Sequence, residues 1–345
     1  MTLIYFILIL GIIVLIHEFG HYIFAKRSGI YVYEFSIGMG PRIFKWTRKN
    51  DETEYSIRLI PIGGFVQMAG EEIEDDKEIP KDKKFTSKTF GQKFMTVIAG
   101  IMNNFILAII LLFIIALFNG APQNKAIVGK VGKDYPAYTA GLQTGDQILK
   151  MNGKEADTYD TLALQLQVNS GKTVHLEVKR SGQIKNITLT PKKVKINGKD
   201  VYKYGFEIKD EIKHGFINSL VYSFTRTISL IYQMMLIIGY LITGTLGINS
   251  LSGPVGVFNV VGQAAVGGFW SLLSLTAFLS INVGFINLLP VPAFDGFRAL
   301  ILIIEKISGK KVDPRLENTI NYVGLFFLMA LMILITYNDI IRLIK

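Results

Sequence analysis

The chain has 345 residues, half of them hydrophobic, and a formal charge of +10. Several apolar runs reach the roughly 20 residues a bilayer-spanning helix needs, which excludes a purely soluble protein. Lysines and arginines flank those runs, so the expected partner is the anionic lipid surface and not nucleic acid; with no cysteine present, any metal must be held by nitrogen and oxygen.

Residues 1–29 predict a first transmembrane helix, with the apolar span over roughly 3–25 followed at once by Lys26 and Arg27. They carry no basic leader and no small-residue cleavage site, so an uncleaved span is expected. Inside the run lies His17-Glu18-Phe19-Gly20-His21. At 3.6 residues per turn, His17 and His21 share one helix face and can share one metal ion, with Glu18 beside them to polarise a water. Three ionisable groups in an apolar segment cost several kcal/mol unless they are paired, liganded or reached by water. The chain has four histidines and two are here, so a third ligand must come from elsewhere.

Residues 30–93 read as a membrane-associated β segment and a loop. Apolar and polar residues alternate over 30–68, with turn signals at Gly38-Met39-Gly40-Pro41 and Lys49-Asn50-Asp51. The segment ends in Pro61-Ile62-Gly63-Gly64-Phe65, where glycines allow another backbone to approach closely. The acidic cluster Glu71, Glu72, Glu74, Asp75 and Asp76 and the lysines after it read as a solvated loop. Residues 94–120 predict a second span, in which the amides of Asn103 and Asn104 should face protein. Residues 121–210 turn soluble, with strands expected at 128–131, 147–151, 173–178 and 187–190 and a helix at 160–169, enough for a small α+β domain.

Residues 211–262 are apolar but interrupted by Asn218, Ser223, Thr225, Arg226 and Gln233. Residues 263–297 predict a third span leading into Asn287-Leu288-Leu289-Pro290-Val291-Pro292-Ala293-Phe294-Asp295-Gly296. Residues 298–345 hold a basic loop and a fourth span. Asp295 is the expected third ligand, because the two prolines stop the helix and let backbone and carboxylate turn inward. Its depth matches that of the histidines only if spans one and three run parallel. A full crossing by 215–243 would place Asp295 roughly 30 Å away on the other face, so that segment is expected to lie along or dip into the membrane. The Lys/Arg-rich loops place the His box end in the cytosol and the 121–210 domain outside.

With these motifs in place, the chain resembles the site-2 protease family of intramembrane zinc metalloproteases, and most closely its bacterial regulator-of-sigma-E-protease type with one PDZ domain. The matching features are the His box, Gly63-Gly64-Phe65-Val66-Gln67-Met68, Ala99-Gly100 through Asn104-Phe105, Gly253-Pro254-Val255-Gly256 and Asn287 through Gly296. The PDZ signature is Ala140-Gly141-Leu142-Gln143-Thr144-Gly145-Asp146. The chain departs from the family with Phe294-Asp295-Gly296-Phe297 for the usual Leu-Asp-Gly-Gly, and with Ile101 where proline is usual.

The resemblance implies four transmembrane helices, a membrane re-entrant β-hairpin and an inserted PDZ domain in a bacterial plasma membrane. It implies one Zn2+ on His17, His21 and Asp295, with Glu18 as general base. Substrate or oxyanion contacts are implied for Asn287, Asn104, Gly63, Gly64 and Phe65, and a PDZ ligand loop at Gly141 and Leu142. The implied substrates are single-span membrane proteins already trimmed by another protease, such as an anti-sigma factor, or remnant signal peptides; oligomeric state stays open. Two other readings compete: a membrane-anchored PDZ adaptor with a non-catalytic metal site, and a metal transporter.

Overall fold

The first apolar run contains no proline and becomes one helix, α1 (Thr2–Arg27). It stops where Gly29 takes a left-handed conformation (φ 65°), with the Ile30 N–H returning to Ala25 O and the Gly29 N–H to Lys26 O. The structure, a computed structural model, describes residues 1–71, 78–196, 199–209 and 211–344; Glu72, Glu74, Asp75 and Asp76 of the acidic cluster lie outside the described residues.

After α1 come β1 (Val32–Thr47), β2 (Glu54–Met68), α2 (Phe90–Asn119), β3 (Ala121–Pro122), β4 (Val128–Val131) and α3 (Pro136–Thr139). Then follow β5 (Gln147–Met151), β6 (Lys154–Glu155), α4 (Tyr159–Val168), β7 (Val174–Arg180), β8 (Gln183–Leu189), β9 (Lys192–Ile196) and β10 (Lys199–Lys203). The chain closes with β11 (Phe206–Ile208), β12 (Ile212–Lys213), α5 (Phe216–Ile242), α6 (Pro254–Val266), α7 (Phe269–Leu288), α8 (Asp295–Ser308) and α9 (Pro314–Ile344). It forms two compact units, residues 1–111 with 248–345, and residues 112–247.

In the first unit, α1 and α7 run side by side in the same direction. Ile9 and Ile13 pack with Leu272, Leu275 and Leu279 at one end, and both helices open on Asp295 at the other. Strands β1 and β2 are each bent by bulges, so the hairpin is a four-run sheet. Residues 34–37 pair with 54–57 on one side and with 64–67 on the other, and 44–47 flank 54–57. The buried Glu34 carboxylate accepts from Ser56 Oγ (2.5 Å), Arg58 Nη2 (2.7 Å) and Arg42 Nη2 (2.7 Å), tying three of these runs together. Gly64 through Met68 form an outer run, paired on one side only among the described residues.

The second unit, residues 112–247, holds strands β3–β12 with helices α3, α4 and α5. A four-stranded antiparallel sheet in the order β6-β5-β7-β8 is joined by the pairs β4–β11, β3–β12 and β9–β10. Its core is Val128, Leu142, Ile148, Met151, Leu162, Leu176 and their neighbours. Each such side chain contributes about 1.5–3 kcal/mol on burial. Helix α4 starts where Thr158 and Thr161 form a capping box. Burial would raise the Asp146 carboxyl, but the bidentate Arg180 guanidinium and the Gln143 N–H hold it below the usual aspartate value.

Five helices among the described residues, α1, α2, α5, α7 and α9, are long and apolar enough to cross a bilayer by length and composition, one more than the four spans expected. The additional one is α5. Its polar residues do not interrupt it: Arg226 and Ser229 bond Asp160 and Tyr240 bonds Gln165 of α4, while the exposed Asn218 and Thr225 bond the carbonyls of His214 and Val221 four residues back.

Candidate metal centre

The site is assembled in the first unit from α1, the part of α2 before residue 112, the outer β run and the turn between α7 and α8. His17 and His21 project from α1 one turn apart, and both are buried. Asp295, the first residue of α8, reaches them: Oδ2 lies 3.0 Å from His17 Nε2 and 3.3 Å from His21 Nε2, and the two Nε2 atoms are 3.2 Å apart. His21 Nδ1 is 2.9 Å from Thr96 O. A carbonyl only accepts, so Nδ1 carries the proton and Nε2 presents its lone pair.

His17 Nδ1 lies 3.3 Å from the Asn104 amide, whose other polar atom, Oδ1, is buried without a partner. Turning that amide over lets Oδ1 accept the Nδ1–H, which satisfies the oxygen and frees His17 Nε2 in the same way. Asp295 Oδ2 is also buried with no aligned donor. Three acceptor atoms therefore converge with no cation or aligned donor among the described residues to neutralise them. Ligand atoms on a tetrahedral ion about 2.0–2.1 Å away lie roughly 3.3 Å from each other. The observed separations of 3.0, 3.2 and 3.3 Å fit such an ion, and no thiolate or further carboxylate is needed.

Two glycines make room for this. A Cβ on Gly20 would sit 2.4 Å from Ala99 O, so α1 and α2 touch backbone to backbone there. A Cβ on Gly100 would sit 2.3 Å from His21 Nε2, inside the site itself. Glu18, half-buried, lies against the outer strand run, with a Cβ built on Gly64 reaching to 3.4 Å from its Cγ. The same run, Phe65 through Met68, lines a cavity of 920 Å³ whose far wall includes Arg298, Leu302 and Asn318.

Several expected residues are placed differently from one another. Gly64 and Phe65 stand on the outer run, Gly63 directly precedes it at φ 91°, and Asn104 stands against His17. Asn287 does not turn into the cluster with its donor: its Nδ2 bonds Val283 O in its own helix (3.0 Å). In the second unit, the Leu142 side chain is core at 2% exposure, and Gly141 O is taken by Arg180 Nη2. Thr96 and the steric role of Gly100 were missed. Thr96 acts through a backbone carbonyl and leaves no trace in sequence, whereas Gly100 lies in the Ala99-to-Phe105 motif and acts only by lacking a side chain.

Residues 5–331 match the model of peptidase family M50. The zinc metalloprotease RasP of Bacillus licheniformis is 33% identical, over 99% of this chain and 99% of that protein. A putative zinc metalloprotease of Clostridium acetobutylicum is 36% identical, over 97% and 96% of the two chains. The regulator of sigma-W protease RasP of Bacillus subtilis is 32% identical, over 99% of each. The likeness runs through both units and is not confined to the His box: the chain belongs to peptidase family M50.

Proposed function

We propose that the protein is an intramembrane endopeptidase that holds one Zn2+ on His17, His21 and Asp295 and cleaves transmembrane segments of single-span membrane proteins. The observation that carries this is the convergence of three buried acceptor atoms, separated as a tetrahedral ion requires, beside a carboxylate that is not one of them. When bound there, Zn2+ would supply Lewis acidity toward the scissile carbonyl and lower the pKa of a coordinated water. Glu18 takes the proton of the attacking water and returns it to the leaving amine nitrogen. Asn104 steadies His17 and offers its amide N–H to the carbonyl oxygen as charge develops there. Asn287, whose amide nitrogen bonds Val283 O, orients the peptide through its amide oxygen.

A transmembrane helix must unwind before its backbone can be cut. The unpaired edge of Gly64 through Met68, next to Glu18, supports capture of the unwound segment by strand addition. The basic residues Lys26, Arg27, Lys310 and Lys311 support a site near the cytoplasmic side. The second unit is then an extracytoplasmic PDZ domain, and α5 rests in the membrane surface. The name of the Bacillus subtilis relative supports a membrane-bound regulator, such as an anti-sigma factor, as substrate.

The test uses purified wild type and Glu18→Gln with a single-span substrate. Zinc should remain bound in both, while cleavage falls at least about 100-fold in the variant, the scale of a lost general base. Equal cleavage by the two proteins would remove the assignment.

A further inference from the structure

We propose that Asn321, on the last helix, is a positioning residue for the Asp295 carboxylate: it holds the backbone turn that delivers this carboxylate to His17 and His21. The inference rests on the metal site described above and concerns a residue outside every motif that pointed to it.

The turn between α7 and α8 has few bonds of its own. Pro290 and Pro292 lack N–H groups, leaving a Val291 N–H to Leu289 O (2.7 Å) and a Phe294 N–H to Val291 O (3.2 Å). Between them Ala293 sits at φ 75°, a left-handed conformation that a Cβ makes unfavourable. The Ala293 N–H is donated to Asn321 Oδ1 at 3.1 Å. Two residues later Asp295 begins α8.

The turn is also wedged between helices. A Cβ on Gly324, one turn along α9 from Asn321, would lie 2.3 Å from Pro292 Cβ, so α9 lies directly on the prolines. A Cβ on Gly296 would lie 2.3 Å from Leu288 O, so the start of α8 lies directly on the end of α7. Asn321 belongs to a helix apolar enough to span the membrane, where an amide is retained when it has a bond to make. That bond goes to the strained residue. Without it, the packing of α9 on the prolines and the two short backbone bonds are left to oppose the preference of Ala293 for φ below zero, and relaxation there rotates Asp295 away from the histidines.

The full chain in detergent is compared as wild type, Asn321→Ala, Asn321→Asp, Ala293→Gly and the Asn321→Ala/Ala293→Gly pair. Zinc dissociation constants come from competition with a chelating dye, and kcat and KM from cleavage of a single-span substrate. Asn321→Ala should weaken zinc about tenfold, the lower end of the effect of losing an outer support of a metal ligand, and lower kcat while KM stays. Asn321→Asp, which keeps the acceptor, should remain near wild type. Ala293→Gly should restore most of the loss in the pair, because glycine accepts the left-handed conformation unaided. Wild-type zinc affinity in Asn321→Ala, or a loss that glycine at 293 leaves unchanged, overturns the proposal. Asp295→Ala separates the two levels: zinc held as tightly without that carboxylate removes the metal reading itself, whereas zinc lost there but kept in Asn321→Ala removes only the role of Asn321.

Discussion

Gly100 decides how near α2 can come to the two histidines. A methyl group there would stand 2.3 Å from His21 Nε2 and 2.8 Å from His17 Cε1. The His21 ring cannot swing aside freely, since Nδ1 is held by Thr96 O one turn before Gly100 on the same helix. Gly100→Ala should therefore cost at least about tenfold in zinc affinity with helicity by circular dichroism unchanged. Gly91→Ala, on the same helix with nothing within 4 Å of its added methyl, should leave zinc binding intact. Equal zinc affinity in both variants would contradict this picture of the pocket. At this scale the sequence was most legible where chemistry is carried by side chains at fixed spacing, as in His17, Glu18 and His21. It was least legible where a backbone atom does the work, as at Thr96. Asn287 shows a further limit: an amide on a helix always has a carbonyl four residues back, and here that local bond takes its donor.

Among the elements, the β1–β2 hairpin is read from its alternation, but its shape is not. Alternation predicts two strands. The bulges around Met39 and Arg42 fold them into four runs, and it is that folding which leaves Gly64 through Met68 at an edge beside Glu18. The Glu34 carboxylate, buried between Ser56, Arg58 and Arg42, holds the runs in register, since a slip would leave a charge unpaired. Strand addition at this edge has a signature that the absence of cysteine makes measurable, because each engineered thiol is the chain's sole one. Single cysteines at Phe65, Val66, Gln67 and Met68, in a Glu18→Gln background, are cross-linked to single cysteines stepped along a bound substrate segment. Addition as a strand predicts efficiency alternating with a period of two on both sides. A period of three to four would mean that the substrate stays helical, and the capture mechanism would fall.

At the scale of the whole chain, α5 is where length and topology disagree. Its 27 residues could cross a bilayer. Yet its faces are sharply divided: Ile217, Val221, Phe224, Ile228, Met235 and Ile242 are exposed, while Ser219, Ser223, Thr227 and Ser229 are buried. That division suits a helix lying in the lipid surface with α4 on its polar side. Chain order gives an independent argument. α6 has 13 residues, about 20 Å of helix, too short to return across a hydrocarbon core of roughly 30 Å. If α5 crossed, α7 would then run against α1, and Asp295 would emerge on the face opposite the histidines. Instead α1 and α7 run parallel, and Asp295 Oδ2 is 3.0 Å from His17 Nε2. Cysteines at His214 and at Thr245, flanking α5, should therefore both react with a membrane-impermeant maleimide from the outer side of intact spheroplasts, as should one at Thr188 in the second unit. Reaction of position 214 from outside and of position 245 only after permeabilisation would make α5 a fifth crossing. α1 and α7 could then no longer be parallel full spans, and the shared depth of the three ligands would need another explanation.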